Sequence, residues 1–181
     1  DTGYYSYLRS FFFDGDLDFI NERYYAHINR FNSTGYVFSN WQLGQSVLYL
    51  PFFLVGHWLA LLYGALGYPI KADGYSAPYF IGTAIASATY LLAGLMIMCG
   101  VLKKIVGERI ALITSMSIWM ASPLLYYTFI RQRMAHTTEF FLAALFVMMW
   151  IYFRESNKKL HHAVMGTFLG LLCLVRLINA N

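Results

Sequence analysis

Residues 79–102, YFIGTAIASATYLLAGLMIMCGVL, carry no charged side chain. A run of this length covers the hydrocarbon core of a bilayer, which takes about 20 apolar residues of helix. Lipid offers no partner for open backbone groups, so such a run must close its hydrogen bonds on itself as a helix. Three further runs follow. Residues 107–130, GERIALITSMSIWMASPLLYYTFI, are charged only in their first turn, and residues 134–153, MAHTTEFFLAALFVMMWIYF, are apolar after their start. Residues 160–178, LHHAVMGTFLGLLCLVRLI, are apolar until Arg176. The expected fold is therefore all-α and integral to a membrane, with about four transmembrane helices at 79–102, 107–130, 134–153 and 160–178. Composition agrees. The chain is 59% hydrophobic and 12% charged, whereas a soluble domain is roughly half apolar and a quarter charged.

Lysine and arginine set the orientation of such a bundle, because cytoplasmic loops retain them. Lys103, Lys104 and Arg109 join the first two spans, and Arg154, Lys158 and Lys159 join the last two. Both linkers are expected on the cytoplasmic side. Residues 131–139, RQRMAHTTE, then fall on the opposite side, where Arg131 and Arg133 break the rule and need a reason. The net charge of +4 reads as flank charge of this kind. No basic stripe is present, so no nucleic-acid partner is expected. Cys99 and Cys173 lie inside apolar runs and read as inert buried thiols.

Residues 1–78 form a first loop with juxtamembrane helices. Tyr4, Leu8, Phe11 and Phe12 recur at helical spacing and predict a helix over 4–13, lying flat on the membrane with Asp1 at its N-terminus. FDGDLDF is then a turn, and RFNSTGYVFSN and YPIKADGYSAP are polar loops. Segment 43–66 is apolar enough to span. Pro51, Gly56, His57 and Gly64 are expected to break it into short pieces, which suits an interfacial or re-entrant helix. Hydropathy favours spanning, and the two readings stand side by side. If the segment spans, residues 1–42 face the cytoplasm; if it stays in the interface, 1–42 and 67–78 both face outward. The chain opens at Asp1 and is expected to be an internal piece of a longer polytopic protein, with a membrane helix before it.

Few groups offer chemistry. Asp14, Asp16 and Asp18 mimic the start of a calcium loop, but Phe19 stands where that loop needs glycine and Tyr25 where it needs glutamate, so a solvated turn is preferred. His136 and Glu139 are three residues apart and share a helix face. An ionisable group at a membrane helix end is costly unless paired, hydrated or metal-bound. Glu139 can pair with Arg131 or Arg133, or the group can be functional. Charge parity puts Arg176 near the outer end of the last span, at the depth of His136. There it either snorkels or holds a lipid phosphate through its planar fork. His27, His57, His161 and His162 show no metal-ligand spacing, and the Asn32 sequon is a short pattern that recurs by chance. There is no P-loop, GxSxG or CxxC pair.

These motifs, in this order, resemble the polytopic type C glycosyltransferases, which take sugars from polyprenyl-phosphate donors. The bacterial mannosyl- and aminoarabinosyl-transferase-like proteins belong to that group, with the catalytic subunit of oligosaccharyltransferase more distant. DTGYYSYLRS resembles the Asp and membrane-parallel helix that open the family's first outer loop. FFFDGDLDFINE and LGQSVLYLPFFLVGH resemble its continuation and second juxtamembrane helix. SPLLYYTFIRQRMAHTTEFFLAALF resembles the second outer loop, and GLLCLVRLIN a later span. The resemblance implies that 1–42 and 43–66 lie outside, on the periplasmic face of a bacterial inner membrane. It also implies that Asp1, His136, Glu139 and Arg176 share one cavity. By that likeness Asp1 is the base or orients the acceptor, and Glu139 is the second catalytic residue. His136 and Glu139 hold a divalent ion (Mg, Mn or Zn) against the leaving phosphate, and Arg131, Arg133 and Arg176 bind the lipid phosphate. The family's second acid pair is replaced here by His136 and Glu139. The expected partners are a polyprenyl-phosphate-linked sugar, an acceptor, membrane lipids and other membrane subunits. Two other classes compete. One is a non-catalytic scaffold subunit of a larger complex. The other is a lipid-sugar transporter, which would need more polar groups at mid-bilayer than the Ser, Thr and Gly found in the spans.

Overall fold

The computed structural model describes residues 3–26, 33 and 35–176, and every regular element among them is helical. The chain forms two compact units, residues 1–86 and 87–181.

The first unit begins with α1, Gly3–Arg9, which runs into a π-helical turn at Ser10–Asp14 and is followed by the short α2, Arg23–Ala26. The helix expected over 4–13 is present, but its face is not a single stripe. Tyr4, Tyr5 and Leu8 are buried, whereas Phe11 is 71% exposed. The i→i+5 pattern of the turn, closed by Gly15 N–H to the Ser10 carbonyl at 3.0 Å, winds more widely than an α-helix. It carries Ser10 inward and Phe11 out. Gly15 ends the turn at φ 73°, a conformation glycine adopts without a Cβ clash. The aspartates after it are spent locally. Asp16 Oδ1 accepts from Ser10 Oγ at 2.9 Å and from the Asp18 amide at 3.1 Å, and Asp18 Oδ1 accepts from the Val37 amide at 2.9 Å.

Arg9 closes this region. Its Nη1 donates to Asp14 and, at 2.9 Å, to Glu22, while the guanidinium lies 4.8 Å from the centre of the Tyr75 ring. Glu22 is almost fully buried. Burial pushes its carboxyl up from the ordinary value, and the Arg9 bond offsets this only in part.

Helix α3, Gly44–Ala65, is one unbroken helix through Pro51, Gly56, His57 and Gly64, contrary to the expected short pieces. Pro51 is exposed and forfeits one backbone bond, a loss that apolar helices tolerate. Gly56 lets the backbone approach that of α4, Ala77–Val106. A Cβ at Gly56 would lie 2.8 Å from the Pro78 carbonyl oxygen, and one at Gly82 would lie 2.7 Å from that of Phe52. His57 Nδ1 and the Tyr79 hydroxyl are hydrogen-bonded at 2.7 Å beside this crossing.

The second unit holds the rest of α4, then α5 (Glu108–Ala121), α6 (Leu124–Phe129), α7 (His136–Phe153) and α8 (Lys159–Val175). The run 107–130, expected as one span, is divided. Ser122 is extended at φ −116°, ψ 167°, because a residue before proline is pushed out of the helical region, and Pro123 opens the next turn. At about 1.5 Å per residue α5 is only about 21 Å long, short of the roughly 30 Å hydrocarbon core. Among the described residues, three helices are long and apolar enough to cross a membrane: α3, α4 and α7; α8 is a shorter apolar helix. Cys99 and Cys173 are half-buried rather than fully enclosed, and they form no disulfide.

Helices α4 and α7 run parallel in a fixed register. Near one end Ser87 Oγ donates to the Gln132 carbonyl and meets Thr137 Oγ1 at 3.0 Å. In the middle the Tyr90 and Phe141 rings are 5.2 Å apart, and Gly94 backs onto Phe140 and Phe141. At the other end Lys104 donates to the Tyr152 hydroxyl. Helices α7 and α8 pack antiparallel, with Arg154, Lys158 and Lys159 at their connection.

Three outcomes follow from the glycine contacts and the Arg9–Glu22 pair. Alanine at Gly82 or Gly94 should lower the melting temperature of detergent-solubilised protein, because the new methyl meets neighbouring atoms at 2.7–2.8 Å. The same change at Gly100, which has nothing within 4 Å, should stabilise by up to about 1 kcal/mol through helix propensity; equal effects at all three sites would refute the close approach. Arg9→Met should cost about 3–5 kcal/mol, since it strands buried carboxylate. Glu22 has a raised folded pKa, so its contribution is complete below the unfolded value of about 4.3 and is lost as pH rises through the folded value. Thermal melts at acidic and neutral pH should therefore show a smaller fall toward neutrality in Glu22→Gln than in the parent.

Candidate functional site

The N-terminus of α7 and the C-terminus of α8 meet at one end of the second unit. Glu139 lies in the first turn of α7, where the helix dipole favours negative charge. Arg176 follows the last turn of α8, where the dipole favours positive charge. Arg176 is extended at φ −148°, ψ 121°, and its amide still bonds the Leu172 carbonyl at 3.2 Å. Its side chain folds back onto α7. Nη1 donates to Glu139 Oε2 at 2.9 Å and lies 3.1 Å from His136 Nδ1. The side chains are partly buried, with exposures of 32% for Arg176 and 21% for Glu139.

The imidazole has one protonation state that fits. Guanidinium nitrogens only donate, so His136 Nδ1 must accept, which places the proton on Nε2 and leaves the ring neutral. The 3.7 Å approach of His136 to Glu139 is then not an ion pair. Tyr127 of α6 stacks on the imidazole with ring centres 3.8 Å apart and planes 24° apart. This fixes the ring plane that aims Nδ1 at Arg176. Buried Ala135, Thr137 and Thr138 anchor the same turn.

Three of the residues singled out from sequence, His136, Glu139 and Arg176, are thus brought together across 37 and 40 positions. Arg131 and Arg133 sit in the turn before α7, the first exposed and the second half-buried. Asp1 lies outside the described residues, as do His27 and Asn32. His161 stacks on Phe153 at 4.2 Å, and His162 meets the Ser156 carbonyl at 2.8 Å, both near the opposite end of the α7–α8 pair. Tyr127 was not foreseen. It precedes His136 across a turn, so no helical period links the two.

The residues do not fit the divalent ion expected here. A metal seated between His136 Nδ1 and Glu139 Oε2 would compete with Arg176, because both atoms face the same guanidinium nitrogen. Among the described residues no group of three His, Cys, Asp or Glu side chains converges.

The register of α4 on α7 sets the distance between the cluster and the basic residues at the other end of the pair. Helix α7 is about 27 Å long at 1.5 Å per residue. That length separates His136 from the basic residues at its far end, Lys104 beside Tyr152, and Arg154. No family model, curated protein or solved structure matches the chain.

A double-mutant cycle checks the tie between the two helix ends. Glu139→Gln and Arg176→Met should each cost about 1–3 kcal/mol, a fall of about 2–4 °C in melting temperature per kcal/mol for a chain of this size. The double variant should lose clearly less than the sum. Additive losses would mean that the two side chains do not interact in solution.

Proposed function

We propose that this chain belongs to a membrane glycosyltransferase that moves a sugar from a polyprenyl-phosphate donor to an acceptor on the periplasmic face of a bacterial inner membrane. The observation that carries the reading is the Arg176 guanidinium, held through one nitrogen by Glu139 and His136 at two helix ends about 27 Å from a basic belt. That distance approaches the thickness of hydrocarbon, about 30 Å. Basic residues at one end and an arginine–carboxylate cluster at the other suit a cytoplasmic and an outer surface.

The reaction joins an acceptor oxygen or amide nitrogen to the anomeric carbon. The bond from that carbon to the phosphate oxygen breaks, its electron pair stays on the polyprenyl phosphate, and the acceptor proton goes to a base. The resemblance assigns the base to Asp1. Arg176 offers its remaining donors to the phosphate and stabilises the charge that grows there. Glu139 and His136 hold the guanidinium in place, and His136 Nε2–H is a further donor. Arg131 and Arg133 add positive charge along the same turn. No step is routed through a metal.

Turnover of a polyprenyl-phosphate sugar by the full-length protein tests the reading. Asp1→Asn should lower the rate by a factor of about 10² to 10⁴ while the protein still folds. Arg176→Lys keeps charge but loses the fork and should raise KM for the donor more than it lowers kcat. In a variant without Cys99 and Cys173, an impermeant thiol reagent applied to spheroplasts should label Arg131→Cys and not Ser156→Cys. Full activity in Asp1→Asn would remove Asp1 as the base, absence of turnover in the parent would leave the non-catalytic scaffold as the better reading, and labelling of Ser156→Cys would overturn the orientation.

A further inference from the structure

We infer that Arg176 is the resident cation of the α7–α8 cluster and occupies the place that a divalent metal ion would otherwise take between His136 and Glu139. The inference deepens the transferase reading and rests on it for its catalytic meaning; its test reads metal binding and not turnover.

A divalent ion at this helix end would need an imidazole nitrogen and a carboxylate oxygen from one helix face, which His136 and Glu139 supply at i and i+3. In the structure both inward-facing atoms are taken by the same guanidinium nitrogen, at 3.1 and 2.9 Å. Tyr127 stacked on the ring resists rotation that would turn Nδ1 elsewhere. A cation seated between the two atoms would meet the guanidinium already bonded to Glu139 Oε2 and His136 Nδ1. Arginine cannot give up its proton to yield the position, and it enters from a neighbouring helix rather than from solvent. The cation is therefore built into the chain, and its charge does not depend on metal supply. The same arrangement makes a latent metal site: with the guanidinium removed, an imidazole nitrogen and a carboxylate remain, oriented toward one point.

The experiment measures Zn²⁺ and Mn²⁺ binding to the purified, chelator-treated full chain by competition with a metallochromic dye. The parent protein should show no saturable binding that His136→Ala abolishes. Arg176→Ala should gain one site at least tenfold tighter than any in the parent, and Arg176→Ala with His136→Ala should lose it again. Arg176→Met, which better preserves packing volume, gives the same comparison if the alanine variant does not fold. Saturable binding in the parent that disappears in His136→Ala would overturn the inference, because a metal would then displace the arginine. So would an Arg176→Ala or Arg176→Met protein that binds no better than the parent.

Discussion

The second unit depends on the parallel contact of α4 with α7. Gly94 is what makes it close, since a Cβ there would lie 2.8 Å from the Phe140 ring and 3.0 Å from the Phe141 Cα. Where apolar helices lie in lipid and no hydrophobic drive separates them from it, such contacts and interhelical hydrogen bonds are what hold a bundle together. The contact sets a register that places Ser87 on Thr137 and Lys104 on Tyr152. The segment between the two helices must therefore return over the same distance. It does so although α5 and α6 are separated at Ser122. The division of that run changes how the return is built without changing which ends of α4 and α7 lie together.

How far the fold could be read ahead depended on whether a signal was local. Residues 79–102 and 134–153 announced helices because length and apolarity act through the backbone of the run itself. The division at Ser122 was also local, since Pro123 was visible, but uniform hydropathy across 107–130 masked it. Segment 43–66 misled in the opposite sense: Pro51, Gly56 and Gly64 are weak helix residues in isolation, and packing against α4 at Gly56 overrides that weakness. The aromatic face of α1 failed beyond Leu8 because a π-turn changes the winding, and no 3.6-residue pattern anticipates it.

The candidate site was legible in part. His136 and Glu139 share a face by spacing alone, and charge parity put Arg176 at their depth. That the arginine would engage both acceptor atoms was not legible, because it depends on the backbone after α8 continuing in an extended residue from which the side chain reaches back. The Arg9–Glu22 pair was missed altogether. Its members are thirteen residues apart across a turn and belong to no shared helix.

The disposition of Arg176 also bears on the simpler view that it is only an interface anchor. A snorkelling arginine lays its aliphatic stem along the helix and sends its head into the headgroups, gaining hydration without a protein partner. Folding back onto α7 gives up that hydration and the side-chain entropy that goes with it. The return has to come from the Glu139 bond, the His136 bond and the opposed helix dipoles, each individually about a kcal/mol or so. The triad that results is neutral in sum, one cation and one carboxylate with an uncharged imidazole, so it can sit at a partly buried helix end without a bound counter-ion. Among the described residues one nitrogen of the fork makes both contacts, and the proposed role gives the other edge of the guanidinium to an incoming anion. An anchor would need none of this arrangement, whereas a site that must hold a positive charge ready for a phosphate needs the cation kept in place before the ligand arrives.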